Sequence, residues 1–249
     1  MSLRDAAVLV IVGVVAGAGN AAAGGGSLLT FPLLVGLGIP PLSANVTNTA
    51  GHTPGYVSIV AGLREELVGQ RRRILHLAPV AVVGAILGAA LLAASSNRAF
   101  AAIAPYLVLV ACALLVLQPL LRRWVARHRG GTLPTPVLLV GALVGCTYAA
   151  YFGAGAGFVV LGALALTMAD DLRTLNALSR LFICIANFVA LPLLLTLTPI
   201  NIGTAAIMAP STFVGGYAGA RLARRLPEAV FRAVVIGLGL AGAVYLLVR

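Results

Sequence analysis

Charged residues are scarce in this chain of 249 residues, and their scarcity excludes an ordinary water-soluble domain. Only 9% of the residues are charged and 61% are hydrophobic, whereas about 25% charged residues is typical of soluble domains. Six acidic residues stand against 17 basic ones, all of which are arginine. Each acidic residue lies near the end of an apolar run, so the sequence gives little support to a catalytic carboxylate pair or a carboxylate proton relay.

Cysteines and nucleotide-binding motifs are equally sparse. Cys112, Cys146 and Cys184 are scattered through apolar segments and form no disulfide framework or metal-binding pair, so we expect them to be small core residues. The glycines at 24–26 lack the Gly-Lys-Ser/Thr ending of a P-loop. Those at 153–157 follow no soluble strand, and the chain has no room for a dinucleotide-binding βαβ unit. We therefore predict no cofactor, no metal and no enzymatic activity.

The chain is rich in long apolar runs, several of which exceed the roughly 20 residues that span a bilayer. These runs are continuous rather than alternating, which favours helices over a membrane barrel. The net charge of +11 comes from arginines that border the apolar runs, a topology signal, so nucleic acid is not an expected partner. The ten segments cover approximately residues 5–23, 26–38, 42–62, 75–95, 98–121, 134–152, 156–168, 172–198, 202–223 and 227–248.

An internal repeat relates the two halves of the chain at a constant offset of 131 residues. The offset pairs Gly24 with Gly155, Gly26 with Gly157, Asn45 with Asn176, Pro79 with Pro210, Gly84 with Gly215, Gly88 with Gly219 and Phe100 with Phe231. We predict an N-terminal transmembrane repeat at 1–121, a basic cytoplasmic linker at 122–133 and a C-terminal transmembrane repeat at 134–249. Each repeat holds five segments, an odd number, so the two repeats should be inverted in the membrane, as in many secondary transporters.

The arginines also predict the topology. Basic clusters follow the third, fifth and ninth segments, which places those connections in the cytoplasm and both termini outside. The first segment has an internal counterpart at 136–152, so we expect it to belong to the fold rather than to a cleaved signal peptide. The second and seventh segments, of about 12 residues, rise only about 18 Å against roughly 30 Å of hydrocarbon. We expect each to form a hairpin or broken helix with its glycine-rich bend inside the membrane.

The two glycine-rich breaks are the first candidate site. A helix that begins at such a break presents unpaired N–H groups and a positive dipole end, which suit an anion. The alternative is that these glycines only allow close helix packing. The predicted substrate-binding residues of the breaks are Asn20, Gly24, Gly25, Gly26 and Ser27 in the first repeat, and Tyr151, Gly153, Gly155 and Gly157 in the second.

Polar residues within two apolar segments form the second candidate site. Asn45 and Asn48 share one helix face, as do Asn176 and Ser179, although such residues also serve as interhelical hydrogen bonds. Arg180 is a candidate charge partner for an anion; the alternatives are that it extends to the membrane interface or pairs with Asp170 or Asp171. His52 is a candidate carrier of a coupling proton, or else a structural hydrogen-bonding residue.

At these residues the chain resembles the sulfite exporter TauE/SafE family of membrane permeases. The resemblance rests on the glycine stretch that opens a short helix, on the apolar run with Pro32 and on the polar helix at 45–49. It rests also on the matching residues 153–158 and 176–179 and on the hairpin at 215–227, and it extends over essentially the whole chain. It implies a multi-pass protein of the bacterial cytoplasmic membrane that moves small sulfur-containing anions, such as sulfite or sulfoacetate, usually outward.

The sequence thus predicts an all-α polytopic secondary transporter that works by alternating access. Its expected partners are a small anionic solute, the lipid bilayer and a coupling proton or cation, and the coupling ion, transport direction and oligomeric state stay open. The alternatives are a passive anion channel, an importer of a small carboxylate or sulfonate, and a membrane enzyme or non-transporting subunit.

Overall fold

A computed structural model describes residues 2–22, 24–127, 135–168, 170–222 and 228–248. In these ranges the regular structure is helical throughout, which confirms the predicted all-α class. One short 3₁₀ turn, Arg64–Leu67, follows the third helix. The ten α-helices are α1 (Leu3–Ala22), α2 (Ser27–Gly36), α3 (Pro41–Gly62), α4 (Arg71–Ala94), α5 (Asn97–Arg127), α6 (Thr135–Tyr151), α7 (Ala156–Thr167), α8 (Leu172–Leu197), α9 (Ile202–Leu222) and α10 (Glu228–Val248).

Within the part of the chain that the structure describes, four helices are long and apolar enough to cross a membrane: α1, α4, residues 97–120 of α5, and α8. Every apolar run predicted from the sequence coincides with one helix, because a continuous apolar stretch can satisfy its backbone in lipid only as a helix. Many large apolar side chains point outward from the bundle, among them Ile11, Leu91 and Val140. Such a surface suits contact with lipid rather than water.

The helices α2 and α7 are short, with 10 and 12 residues, and rise about 15 and 18 Å. Each folds back against the helix before it. A Cβ atom added at Gly26 would lie 2.1 Å from the carbonyl oxygen of Ala16 in α1, and one at Gly145 of α6 would lie 2.5 Å from the Val160 side chain. The hairpins are present as predicted; the depth of their bends in the membrane stays a prediction.

The helix boundaries keep the 131-residue offset. The starts of α3 and α8, of α4 and α9, and of α5 and α10 are each 131 residues apart. The packing crosses between the halves: α1 packs along α9, and α6, its counterpart, packs along α4. The opposite orientation of the two repeats in the membrane stays a prediction.

Glycines make both of these crossed contacts close. A Cβ atom at Gly215 of α9 would lie 2.0 Å from the carbonyl oxygen of Val14, and one at Gly88 of α4 would lie 2.2 Å from that of Thr147. Real Cβ atoms essentially never approach so closely. The backbones touch here because glycine carries no side chain.

Two polar contacts each join a pair of connections that the predicted topology places on one side of the membrane. The two pairs lie on opposite sides. Arg73 at the start of α4 pairs with Asp170, which precedes α8, at 2.6 Å. The backbone N–H of Leu42 in α3 donates to Oδ1 of Asn97 at the start of α5, at 3.1 Å. Which side faces the cytoplasm stays a prediction.

The predicted linker differs from the structure at its beginning. The helix α5 continues to Arg127, six residues past the predicted end of the fifth segment at 121, because a helix that leaves the apolar layer needs no further apolar residues. The remainder of the linker lies outside the described residues, as do Arg129, Arg224, Arg225 and the side chain of Phe231. The three cysteines are buried and unpaired.

Candidate functional site

The helices α3 and α8 form the centre of the bundle. They contact each other, and α3 also contacts α1, α2, α5 and α9. Most side chains that the sequence singled out on these two helices are buried: Asn45, Asn48, His52, Ser179 and Arg180 are all at most 2% exposed. The polar residues therefore face the interior of the bundle, where their hydrogen bonds decide what they can do.

The two glycine-rich breaks meet in this interior. The N–H group of Gly155 donates to the carbonyl oxygen of Gly24 at 3.3 Å, which joins the α6–α7 break directly to the α1–α2 break. Gly24, Gly153 and Gly155 have φ angles of 72°, 85° and 76°, a region that glycine adopts at little cost. The structure thus brings the starts of α2 and α7 side by side.

Arg180 lies between the two breaks. A Cβ atom at Gly24 would lie 2.7 Å from its Nη1 atom, and one at Gly157 only 2.3 Å away. The guanidinium group therefore occupies the space that side chains at these two positions would need. Ser179, next to it in α8, donates from Oγ to the carbonyl oxygen of Gly157 at 2.7 Å.

The alternative positions for Arg180 do not match the structure. Its side chain is 1% exposed, so it does not extend to the surface of the bundle. Asp170 pairs with Arg73. Asp171 accepts a hydrogen bond from the Thr174 hydroxyl, which lowers the pKa of that carboxyl. Both acids are therefore engaged with other residues.

The electrostatics of the junction favour an anion. Some N–H groups at the starts of α2 and α7 already have partners, since that of Gly26 donates to Asn20 and that of Ala156 to the Gly153 carbonyl oxygen. The aligned peptide dipoles still give each helix start a partial positive charge. Here two such starts adjoin the guanidinium group. Among the residues that the structure describes, no group of three or more His, Cys, Asp or Glu side chains could hold a metal ion.

Asn20 and His52 belong to a buried network at the start of α2. Oδ1 of Asn20 accepts from the Gly26 N–H at 2.8 Å, and its Nδ2 lies 3.1 Å from Nδ1 of His52. Nε2 of His52 lies 2.9 Å from Oγ1 of Thr30, whose hydroxyl donates to Oδ1 of Asn48. Three of the predicted residues are thereby linked through Thr30, which sequence reasoning missed. The signal that the sequence offered for Thr30 was a hydroxyl residue within an otherwise apolar stretch of α2.

Asn45 and Tyr151 occupy the end of the site. Nδ2 of Asn45 donates to the backbone carbonyl of Tyr151 at 2.8 Å, which satisfies a carbonyl at the last turn of α6. The Tyr151 hydroxyl lies 3.4 Å from Oγ of Ser95, the residue that follows α4. Within the described residues, Oδ1 of Asn45 and Oδ1 of Asn176 are buried without a hydrogen-bond partner.

An aromatic cluster, also missed from the sequence, adjoins this end. The rings of Phe31 and Phe152 are 5.3 Å apart and nearly perpendicular. Phe31 and Phe100 are 6.3 Å apart, and Phe100 lies 5.9 Å from Tyr151. The two contacts of Phe31 are edge-to-face, an arrangement that is favourable for aromatic pairs, and that of Phe100 with Tyr151 is tilted. Together these contacts join α2, α5 and α6. The sequence held no signal for them, since the phenylalanines are far apart along the chain.

Open grooves on the bundle are mostly apolar, and one of them is lined in part by Ser95 and Tyr151 at the end of the site. One of about 560 Å³ lies between α1, α2 and α10 and is lined by residues such as Leu33 and Leu238. Another of about 500 Å³ lies between α4 and α6. In the part of the chain that the structure describes, Gly24, Gly157, Ser179 and Arg180 are buried and Gly153 and Asn176 are half-buried, so the centre of the polar site is closed to the exterior.

A bundle of ten mostly apolar helices around a closed polar centre defines a multi-pass membrane protein of the permease type. A family model described as "Sulfite exporter TauE/SafE" matches residues 9–246, and the chain belongs to this family. It is similar to the "Probable membrane transporter protein YfcA" of Escherichia coli strain K12. The two are 28% identical over 230 residues, which cover 92% of this chain and 84% of the relative. Proteins of the same name from Escherichia coli O6:H1 and O157:H7 match equally well.

No solved structure shows a significant match to the chain. The family and these relatives make the protein a membrane transporter, and the predicted family membership is confirmed. Membership of a transporter family also agrees with the prediction that the chain is not an enzyme.

Proposed function

We propose that this protein is a secondary transporter that exports small sulfur-containing anions, such as sulfite, sulfoacetate or related sulfonates, across the cytoplasmic membrane. The observation that carries the proposal is the buried Arg180 guanidinium between the glycine-rich starts of α2 and α7. Gly24, Gly157 and Ser179 surround the charge. Asn45, Asn48 and Asn176 supply the polar wall.

The chemistry of the junction favours an oxyanion. Opposite unit charges about 4 Å apart gain roughly 4 kcal/mol at an effective dielectric constant near 20, and the partial positive charge of the two helix starts adds to this attraction. A guanidinium group offers two parallel N–H bonds that match two oxygens of a sulfite or sulfonate group. The solute must be small, since even a Cβ atom does not fit at Gly24 or Gly157.

Transport would proceed by alternating access between the two repeats. The closed site corresponds to an occluded state, with the Arg73–Asp170 pair at one end and the aromatic cluster at the other. We place the Arg73–Asp170 end in the cytoplasm and both termini outside. The family's description as a sulfite exporter supports the outward direction, and a proton or cation gradient would supply the energy.

The test is flux into proteoliposomes that contain the purified protein. Sulfite, sulfoacetate, taurine and a simple carboxylate are compared, with and without a proton gradient. We expect saturable, gradient-dependent movement of sulfite or sulfoacetate. Replacement of Arg180 by Ala should abolish this movement. Replacement by Lys should restore only part of the transport rate, because lysine lacks the planar guanidinium group. Normal affinity in Arg180→Ala would refute the assigned site, whereas non-saturating flux would indicate a passive anion channel.

A further inference from the structure

Four polar side chains from three helices form one continuous hydrogen-bonded chain. Asn20 of α1, His52 and Asn48 of α3, and Thr30 of α2 are each at most 2% exposed. The chain begins at the Gly26 N–H and ends at Asn48. Thr30 lies at the first turn of α2, so Asn48 is held beside the helix start that forms half of the proposed site.

The direction of the first three hydrogen bonds in this chain follows from the first donor, and the direction of the last follows from the distance between donor and acceptor. A backbone N–H can only donate, so the atom of Asn20 that faces Gly26 must be the carbonyl oxygen. The Asn20 NH₂ group then faces His52 and donates to Nδ1, which must carry no hydrogen. Nε2 therefore carries the hydrogen and donates to Oγ1 of Thr30. The Thr30 hydroxyl has one hydrogen, which goes to Oδ1 of Asn48 because this oxygen is much nearer than the Gly26 carbonyl oxygen at 3.4 Å.

We infer that Thr30 and a neutral His52 are positioning residues that orient Asn48 with its amide NH₂ group toward the solute. The inference rests on the proposed anion transport. With Oδ1 of Asn48 committed to the Thr30 hydroxyl, the NH₂ end of the amide is left for the site. If the amide turned round, a carbonyl oxygen would face the anion and repel it.

This role for His52 differs from that of a proton carrier. A second ring hydrogen on Nδ1 would point at the NH₂ group of Asn20, and two donors cannot bond to each other. The groups that hydrogen-bond the ring, Asn20 and Thr30, carry no charge. Met208 and Thr212 of α9, which lie against Gly51 and Gly55 on α3, are also uncharged.

The first experiment changes the Thr30 hydroxyl. Thr30→Val removes it at nearly constant volume, and Thr30→Ser keeps it. The matched control is Thr53→Val, because the Thr53 hydroxyl is also buried but bonds only to the Thr49 carbonyl in its own helix, at 2.8 Å. In sulfite uptake by proteoliposomes we expect Thr30→Val to raise KM about tenfold with kcat changed less than about threefold, the loss expected for one hydrogen bond to a charged group.

The expected pattern is specific. Thr30→Ser should return KM to near the wild-type value, Thr53→Val should leave it unchanged, and Asn48→Ala should add nothing to Thr30→Val. If Thr30→Val and Thr53→Val behave alike, or if serine fails to rescue, the inference is wrong. Absence of saturable anion flux in the wild type would instead refute the proposed function.

The second experiment determines the tautomer and the charge of the His52 ring by spectroscopy. Nitrogen NMR of labelled protein in lipid distinguishes the two neutral tautomers from the charged ring, and His52→Gln identifies the signal. We expect the Nε2–H tautomer throughout about pH 5 to 8, also in Thr30→Val, because the Asn20 NH₂ group still donates to Nδ1. A charged ring in that range overturns the inference. Glutamine can also accept and donate in place of the neutral ring, so loss of gradient-driven accumulation in His52→Gln would support the proton-carrier role instead.

Discussion

Replacement of Gly157 by Ala tests the tight fit around the guanidinium group. The added Cβ atom would lie 2.3 Å from Nη1 of Arg180, whereas ordinary contact begins at 3.4 Å, so Nη1 must move by roughly 1 Å. Gly157 has no positive φ angle, and the atom that must yield is the far end of a flexible side chain. We therefore expect the fold to survive and the site to be disturbed.

The size of the effect follows from that displacement. Moving a unit charge from about 3.5 to 4.5 Å away from an anion costs about 1 kcal/mol at an effective dielectric constant of 20. Misalignment of one hydrogen bond costs about another 1 kcal/mol. Together they raise KM for the anion about 30-fold, since each 1.4 kcal/mol is a factor of ten.

The assay is sulfite or sulfoacetate uptake by proteoliposomes, with thermal unfolding of the purified protein measured beside it. Gly237→Ala is the matched control, because a Cβ atom at Gly237 in α10 meets nothing within 4 Å. The reasoning is refuted if Gly157→Ala keeps the wild-type KM, or if its KM rises only in proportion to a fall in stability that Gly237→Ala shares.

Two further predictions concern the packing between the halves. Gly215→Ala places a Cβ atom 2.0 Å from the backbone oxygen of Val14, which cannot yield cheaply, so we expect destabilisation by about 2 kcal/mol or more and a lower yield of folded protein in detergent, measured by size-exclusion chromatography. Arg73→Asp and Asp170→Arg should each slow transport by weakening closure at that end, whereas the doubly exchanged variant should recover much of the rate; a double variant no better than either single one would argue against a gating role for the pair.

Much of the fold could be predicted because lipid restricts the backbone. All ten helices follow from continuous apolar runs. The helices α2 and α7 both begin at Gly-rich breaks, and α2 ends shortly before Gly38, which has a φ angle of 86°. The predicted end of the fifth segment, at 121, was too early. Beyond the apolar layer a helix such as α5 continues because of the helix propensity of its residues. Arginine supports that propensity, and hydrophobicity no longer marks the boundary.

The site was less predictable because it depends on contacts between distant residues. The positions of Gly24, Gly157 and Arg180 in the sequence mark breaks and a buried charge, but only the packing of α8 against α7 shows that the three adjoin. The direction of the Tyr151 ring follows from the neighbouring Ser95 and Phe100, which no local pattern reveals. Thr30 gains its importance only from hydrogen bonds to another helix.

The crossed packing of α1 on α9 has a consequence for how the chain is made. About 180 residues separate the end of α1 from the start of α9, and at about 5 to 20 residues per second the ribosome needs roughly 10 to 40 seconds to supply the partner. During that interval the glycine-lined face of α1 has only lipid or the insertion machinery to cover it. The seam between α1 and α9 can therefore close only as synthesis nears its end, whereas α6 is available to α4 soon after the first half has been made.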